Sequence, residues 1–206
     1  LALAQAGHQV RVLDLPQCDF TALEAAPGIE IVRGSIEDNE ALRTAVRGAD
    51  AILHLAALLP PASERDRERT MEINVAGTAR LLDAASLVPH AHIILSSSVC
   101  VYGDTSAQEP PVSVARAPRP ADWYGESKAA AEALVRESGL PYTSLRISGI
   151  AVPAFLAPPA VWPFQARQRI EFVARGDVVA ALRACVEAGP ANAILNVAGG
   201  PTWQMT

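Results

Sequence analysis

Two short segments, residues 51–57 (AILHLAA) and 91–97 (AHIILSS), are apolar at successive positions instead of alternate ones. A strand with one wet face alternates. A strand that does not is buried on both faces, as in a parallel sheet covered by helices. Parallel neighbours cannot be joined by a tight turn and need a crossover, usually a helix. The rest of the chain supplies crossovers at suitable intervals. Residues 1–5 read as the end of a helix, stopped at Ala6-Gly7. Residues 9–14 and 28–32 read as strands, and 38–46 as a helix. Residues 64–87 carry a long helical pattern with Ile73, Val75, Leu81 and Leu82 on its apolar stripe. Residues 123–138 and 177–188 are further helices, and 142–147 and 194–197 further strands. Residues 103–122 are polar and proline-rich and read as a loop. The alternation predicts an α/β fold with a doubly wound parallel sheet.

The chain has 206 residues, enough for one sizeable core. Residues 153–169 are rich in proline and read as an insertion carrying substrate contacts. A division follows: residues 1–150 as a nucleotide-binding domain, and 151–206 as a small substrate-binding region that returns a helix and a strand to the sheet. The net charge of −5 argues against nucleic acid or an anionic membrane as the main partner. No apolar run approaches the roughly 18–20 residues that span a bilayer. The first residues lack the basic start and cleavage site of a signal peptide. Cys18, Cys100 and Cys185 are scattered and odd in number, which fits a reducing compartment and a cytoplasmic protein. His90 and His92 form a close pair with no third ligand in step, so no metal is expected and the pair reads as a strand-edge surface feature.

The sharpest chemical signal is Tyr124-Gly-Glu-Ser-Lys128. Residues four apart share a helix face. A lysine there brings positive charge to the tyrosine hydroxyl, and a nearby cation favours the phenolate. A tyrosine tuned toward neutrality can exchange a proton with a substrate hydroxyl. Lys128 is the only lysine, against sixteen arginines. Chance would put it four residues after one of the three tyrosines only roughly one or two per cent of the time. A compact ammonium is called for where a planar guanidinium would not serve. Serines and a glycine, in residues 95–103 (LSSSVCVYG), follow the end of the second buried strand, the edge at which open α/β sheets bind ligands. Ser98 is placed there to bond a substrate oxygen beside Tyr124. Asp14 ends an early strand, where an acid can accept both ribose hydroxyls of adenosine and repel a 2′-phosphate, which favours NAD over NADP.

Together these residues resemble the extended short-chain dehydrogenase/reductases, the NAD-dependent epimerase/dehydratase family. The resemblance runs in order along the chain and implies a Rossmann-like sheet with NAD as cofactor. Ser98, Tyr124 and Lys128 match the family's catalytic trio. Asp14 matches its acid after the second strand. Ser35 and Ile36 stand where an Asp-Ile or Asp-Leu pair holds adenine, and serine departs from that pattern. His54-Leu55-Ala56-Ala57 is similar to a motif whose backbone lines the cofactor. Asn74-Val-Ala-Gly-Thr78 is similar to the Asn-Val-x-Gly-Thr helix motif. Ser96, Ser148 and Ile150 fall in segments that face the nicotinamide side. Residues 172–178 resemble a late substrate loop and helix start, with Asp177 retained.

The family's glycine-rich phosphate loop, which belongs before the first helix, has no counterpart after Leu1. The resemblance therefore implies an N-terminally truncated chain, without the first strand and inactive alone. Dehydratases add an Asp-Glu pair beside the serine. Val99-Cys100 stands there instead, so 4,6-dehydration is not expected. The implied chemistry is hydride transfer to NAD from a sugar, sugar nucleotide or related polyol. Tyr124 would take the hydroxyl proton, Lys128 would hold the nicotinamide ribose and Ser98 would orient the oxygen. The alternative is a regulatory member that binds NAD without turnover. A homodimer through the helices that carry Asn74 and Tyr124 is a further implication.

Overall fold

In the computed structural model, residues 1–151, 169–200 and 203–204 are described. Their order is α1 (Ala2–Gln5), β1 (Val10–Asp14), α2 (Thr21–Glu24), β2 (Ile29–Arg33), α3 (Asn39–Val46) and β3 (Ala51–His54). Then come α4 (Arg67–Met71), a π turn (Glu72–Ala76), α5 (Gly77–Ala85), β4 (His92–Ser98) and a 3₁₀ turn (Val99–Tyr102). The chain continues through α6 (Trp123–Glu137), β5 (Tyr142–Ile147), β6 (Gly149–Ala151), β7 (Arg169–Ile170) and β8 (Phe172–Ala174). It closes with α7 (Arg175–Ala188), β9 (Ala193–Val197) and β10 (Trp203–Gln204).

The main sheet is parallel, in the order β3-β4-β5-β9, and β1 pairs in parallel with β2. The doubly wound arrangement is visible in β4. Ile93 and Leu95 pack under α5 and α6 against Ala85, Ala131 and Val135. Ile94 points the other way, to Leu145, Ile147, Val173 and Val178 beneath α7. Burial on both faces is why this strand does not alternate. Leu13 of β1 and Ile52 of β3 both pack on one core with Leu42, Val46, Leu81 and Ala84 of α3 and α5. Yet β1 and β3 are not hydrogen-bonded to each other, so the parallel strands form two separate sheets.

Helix starts follow local chemistry. Asp38 accepts the amides of Glu40 and Ala41, Asp66 that of Arg69, and Asp122 that of Gly125. Several sequence expectations need correction. β3 stops at His54, not residue 57, because Leu55 and Ala56 emerge from the sheet into solvent. The long pattern at 64–87 is one continuous helical stretch over residues 67–85, with a π turn in its middle that buries Asn74. α7 starts two residues early, at Arg175. α2 and the short strands β6, β7, β8 and β10 were not expected. His92 is no surface residue: it is buried and shares a 2.9 Å hydrogen bond with Thr143. The stretch 153–169 lies outside the described residues, apart from Arg169.

Candidate active site

Gly125 decides how α6 meets β4. A Cβ there would lie 2.8 Å from the Cys100 carbonyl oxygen and 3.0 Å from Asp122 Oδ1. Only a bare backbone lets the first turn of α6 rest on the 3₁₀ turn that follows Ser98. Tyr124 therefore arrives beside the carboxyl end of β4. Ser98 is buried there, and its Oγ accepts the Cys100 amide at 3.2 Å. One helical turn on, Lys128 is buried, donates from Nζ to the Ser96 carbonyl at 2.8 Å, and lies 5.7 Å from the Tyr124 ring centroid.

The charge balance differs from the expectation. Burial pushes Tyr124 up to about 12; the neighbouring Cys100 and Asp122 act in the same direction, and Ser98 acts against them. Burial pulls Lys128 down to about 8. Burial is the largest influence on each, and it disfavours the phenolate of Tyr124 and the ammonium of Lys128 alike. Lys128 also influences His54, which burial first and the lysine charge second pull down to about 3. Thr78 donates its hydroxyl proton to the Asn74 carbonyl, so it must accept from His54 Nε2–H at 2.8 Å, and the imidazole is neutral.

Asn74 is a brace. Its Oδ1 accepts the Leu58 amide at 2.7 Å, and its Nδ2 donates to the Leu58 carbonyl and to Ser127 Oγ. With both amide protons used, it ties the backbone of the segment after β3 to α6. In that segment Leu55 and Ala56 are exposed and Ala57 is half-buried. Asp14 ends β1 with an exposed carboxylate that accepts the Leu15 amide. Ser35 closes a small turn on Glu37, and Ile36 turns inward against Gly77 and the core, leaving its backbone outward. Ser148 is buried, with a hydroxyl that has no partner among the described residues. Ile150, in β6, is 40% exposed. Ser96, Ser98, Tyr124 and Lys128 thus converge. Asp14, Ser35 and Ile36 lie on the separate β1–β2 piece, at the carboxyl ends of its own strands.

Sequence reasoning missed the residues that hold this corner in place. Arg146 of β5 forms a two-pronged ion pair with Glu132 of α6, at 2.9 and 2.7 Å, both 3% exposed. Ser97 also donates to Glu132. The guanidinium lies 4.7 Å from the Tyr102 ring centroid and bonds the Val114 carbonyl. Tyr102 donates to Asn196 Oδ1, and Asn196 Nδ2 donates to the Val112 carbonyl. The loop 103–122 is thereby fastened from below. Glu64, from the segment before α4, accepts the amides of Trp123 at 3.1 Å and Tyr124 at 3.0 Å. Glu132 carried a weak signal, lying on the helix face of Tyr124 and Lys128; Glu64 carried none.

A doubly wound sheet with polar groups at its carboxyl edge defines a nucleotide-binding α/β protein of the Rossmann type. The chain matches the model of the NAD dependent epimerase/dehydratase family over residues 1–198 and belongs to that family. NAD is the family's cofactor. The 3-beta-hydroxysteroid dehydrogenase of Mycolicibacterium neoaurum is 31% identical over 158 residues, 72% of this chain and 42% of that protein. The UDP-glucose 4-epimerase of Streptomyces lividans is 29% identical over 157 residues, 74% of this chain and 46% of that protein. The chain thus spans less than half the length of these relatives. The solved UDP-glucose 4-epimerase of Thermus thermophilus, in complex with NAD, shares the fold with a TM-score of 0.84 at 24% identity, over 99% of this chain and 74% of that one. Among the described residues, no helix is long and apolar enough to cross a membrane.

Proposed function

We propose that the protein containing this chain is an NAD-dependent oxidoreductase or epimerase acting on a secondary hydroxyl of a sugar, sugar nucleotide or related polyol. The observation that carries the reading is the convergence of Ser98, Tyr124 and Lys128 at the carboxyl end of β4. The unpartnered Ser148 hydroxyl and the exposed Asp14 carboxylate, each at the carboxyl end of its own strand, fit a dinucleotide's polar groups. Asp14 and the backbone at Ser35 and Ile36 would hold the adenosine end. The backbone of Leu55, Ala56 and Ala57, braced by Asn74, would line the middle. Ser96, Ser148, Ile150 and Lys128 would border the nicotinamide ribose. Bound NAD supplies the acceptor for the hydride that leaves the substrate carbon.

Tyr124, as phenolate, would take the hydroxyl proton as that C–H bond breaks and the carbonyl forms. Ser98 would bond the same oxygen and hold its geometry. With Tyr124 held up near 12 by burial, a positive charge beside it is needed to reach the phenolate at neutral pH. Lys128 keeps its own charge below about 8. An epimerase would return the hydride to the other face, and a dehydrogenase would release the ketone. Residues 151–206 would supply the substrate side. The face of α4, the π turn, α5 and α6, lined by Met71, Val75, Ala79 and Leu134, would form a homodimer contact.

Replacing Tyr124 with Phe in the intact protein is expected to lower turnover by at least about 100-fold and leave NAD affinity within a factor of two. NADH formation and equilibrium dialysis measure the two, and undiminished turnover would sink the assignment. Similarity to the hydroxysteroid dehydrogenase favours a second reading, a sterol-type secondary alcohol as substrate. A panel of uronates, nucleotide sugars and 3β-hydroxysteroids separates the two. NAD binding with no turnover on any of them would favour a regulatory role.

A further inference from the structure

The first four amides of a helix have no partner inside it and usually meet water or a capping side chain. In α6 those of Trp123, Tyr124 and Gly125 are all taken by side chains. Glu64 Oε2 accepts Trp123 N–H and Oε1 accepts Tyr124 N–H. Asp122 accepts Gly125 N–H at its side chain and Glu126 N–H at its carbonyl. Asp122 is the local cap, one residue before the helix. Glu64 comes from about sixty positions upstream and belongs to the segment leading from the end of β3 to α4.

The helical stretch that follows it grips the same turn of α6 at two more points. Arg67 donates to Glu126 Oε2 at 3.1 and 3.3 Å. Asn74, beyond α4, donates to Ser127 Oγ, which in turn donates to the Tyr124 carbonyl at 2.7 Å. Tyr124 is thus held at its amide by Glu64 and at its carbonyl through Ser127. The amide bond is the more demanding, because one carboxylate must span two successive N–H groups. Ser63 is fully buried and donates its hydroxyl to Glu64 Oε1, which steadies the carboxylate from behind. An exposed surface glutamate has no reason to be held by a buried neighbour and two main-chain amides unless its position matters to what they carry.

We propose that Glu64 is a positioning residue for Tyr124, fixing the backbone from which the phenol reaches toward Ser98. The proposal rests on the reading of Tyr124 as the proton-transfer group. Glu64 touches no reacting atom; it acts through the main chain of α6. A carboxylate set back by one methylene reaches the two amides less well, and a carboxamide presents N–H to one of them.

The test uses the full chain labelled with 3-fluorotyrosine. Its three tyrosines, Tyr102, Tyr124 and Tyr142, give three fluorine resonances, and Tyr124→Phe identifies the one that matters. In Glu64→Gln the Tyr124 resonance is expected to shift or split, while those of Tyr102 and Tyr142 stay. In the intact enzyme kcat should fall about tenfold with KM for substrate and NAD unchanged. Glu64→Asp should show the same selective fluorine change in weaker form, and it carries the test if the Gln variant does not fold. Three unmoved resonances, or all three moving together, would overturn the proposal. A selective fluorine change with unaltered kcat would leave Glu64's hold on Tyr124 standing and count against the proton-transfer role of Tyr124.

Discussion

Lys128 is held where its charge is hard to keep. The residue is 4% exposed and its ammonium has one carbonyl partner, Ser96. Its folded pKa lies near 8, below the ordinary 10.5. The sign follows from proton binding. Between pH 8 and 10.5 the unfolded chain holds a proton that the folded chain has released, so stability rises with pH through that window. Below it, the burial cost is present in full. Lys128→Met is therefore expected to raise unfolding stability at pH 7 by about 1–2 kcal/mol, net of the donor lost to Ser96, while abolishing turnover. Lys128→Arg should also lose turnover by about 100-fold, because the planar guanidinium does not fit the ammonium's site. Urea unfolding and NADH formation on the same variants check both; a destabilised Met variant would mean that the lysine is there for the fold.

At the scale of elements, α6 is the piece on which the site depends. Gly125 permits its approach, Asp122 starts it, and the Glu132–Arg146 pair bolts its middle to β5. A buried pair contributes little net stability when complete, since desolvation offsets attraction, but removing one partner leaves an uncompensated charge. Glu132→Ala is expected to cost about 3–5 kcal/mol and to loosen the loop 103–122. Joint replacement by Leu at 132 and Met at 146 should recover most of that stability. Chemical denaturation of the single and double variants gives the comparison. A mild single loss, under about 1 kcal/mol, would show that the network does not carry the element.

The whole molecule joins two parallel pieces through one shared helical core. β1 and β3 reach that core from either side, through Leu13 and Ile52. His54, at the end of β3, is buried and tied to Thr78 of α5, so it spans the strand and the helical layer. Its folded pKa is near 3 against an ordinary 6.5. As pH falls below 6.5 the unfolded chain gains a proton that the folded chain refuses, and stability drops by up to about 1.4 kcal/mol per pH unit until about pH 3. Buried His92 acts in the same direction. The carboxylates with lowered pKa values, such as Glu37 and Glu109, matter only further down. Between pH 5 and 6.5 the slope therefore belongs mainly to the histidines. His54→Gln should flatten it by about 1 kcal/mol per unit; an unchanged slope in urea titrations across that range would remove His54 from this role.

The alternation of strands and helices and the doubly wound plan were legible because short-range patterns encode them. A strand buried on both faces is apolar throughout, and a parallel partner requires a crossover. Asp38, Asp66 and Asp122 mark helix starts for an equally local reason. Tyr124 and Lys128 were legible because helical spacing alone puts them on one face, and Ser98 because it follows a buried strand. Other features depend on which distant groups come into contact, and no spacing reports that. The π turn inside the long helix buries Asn74, which bonds Leu58 and Ser127, sixteen and fifty-three positions away. The burial of His92 follows from Thr143 on the next strand. The upward shift of Tyr124 comes from desolvation, which only packing creates. So the amino-acid sequence by itself determined the layer plan and two members of one helix face. Only the tertiary structure decided what holds Tyr124, because Glu64 reaches it across sixty residues of chain.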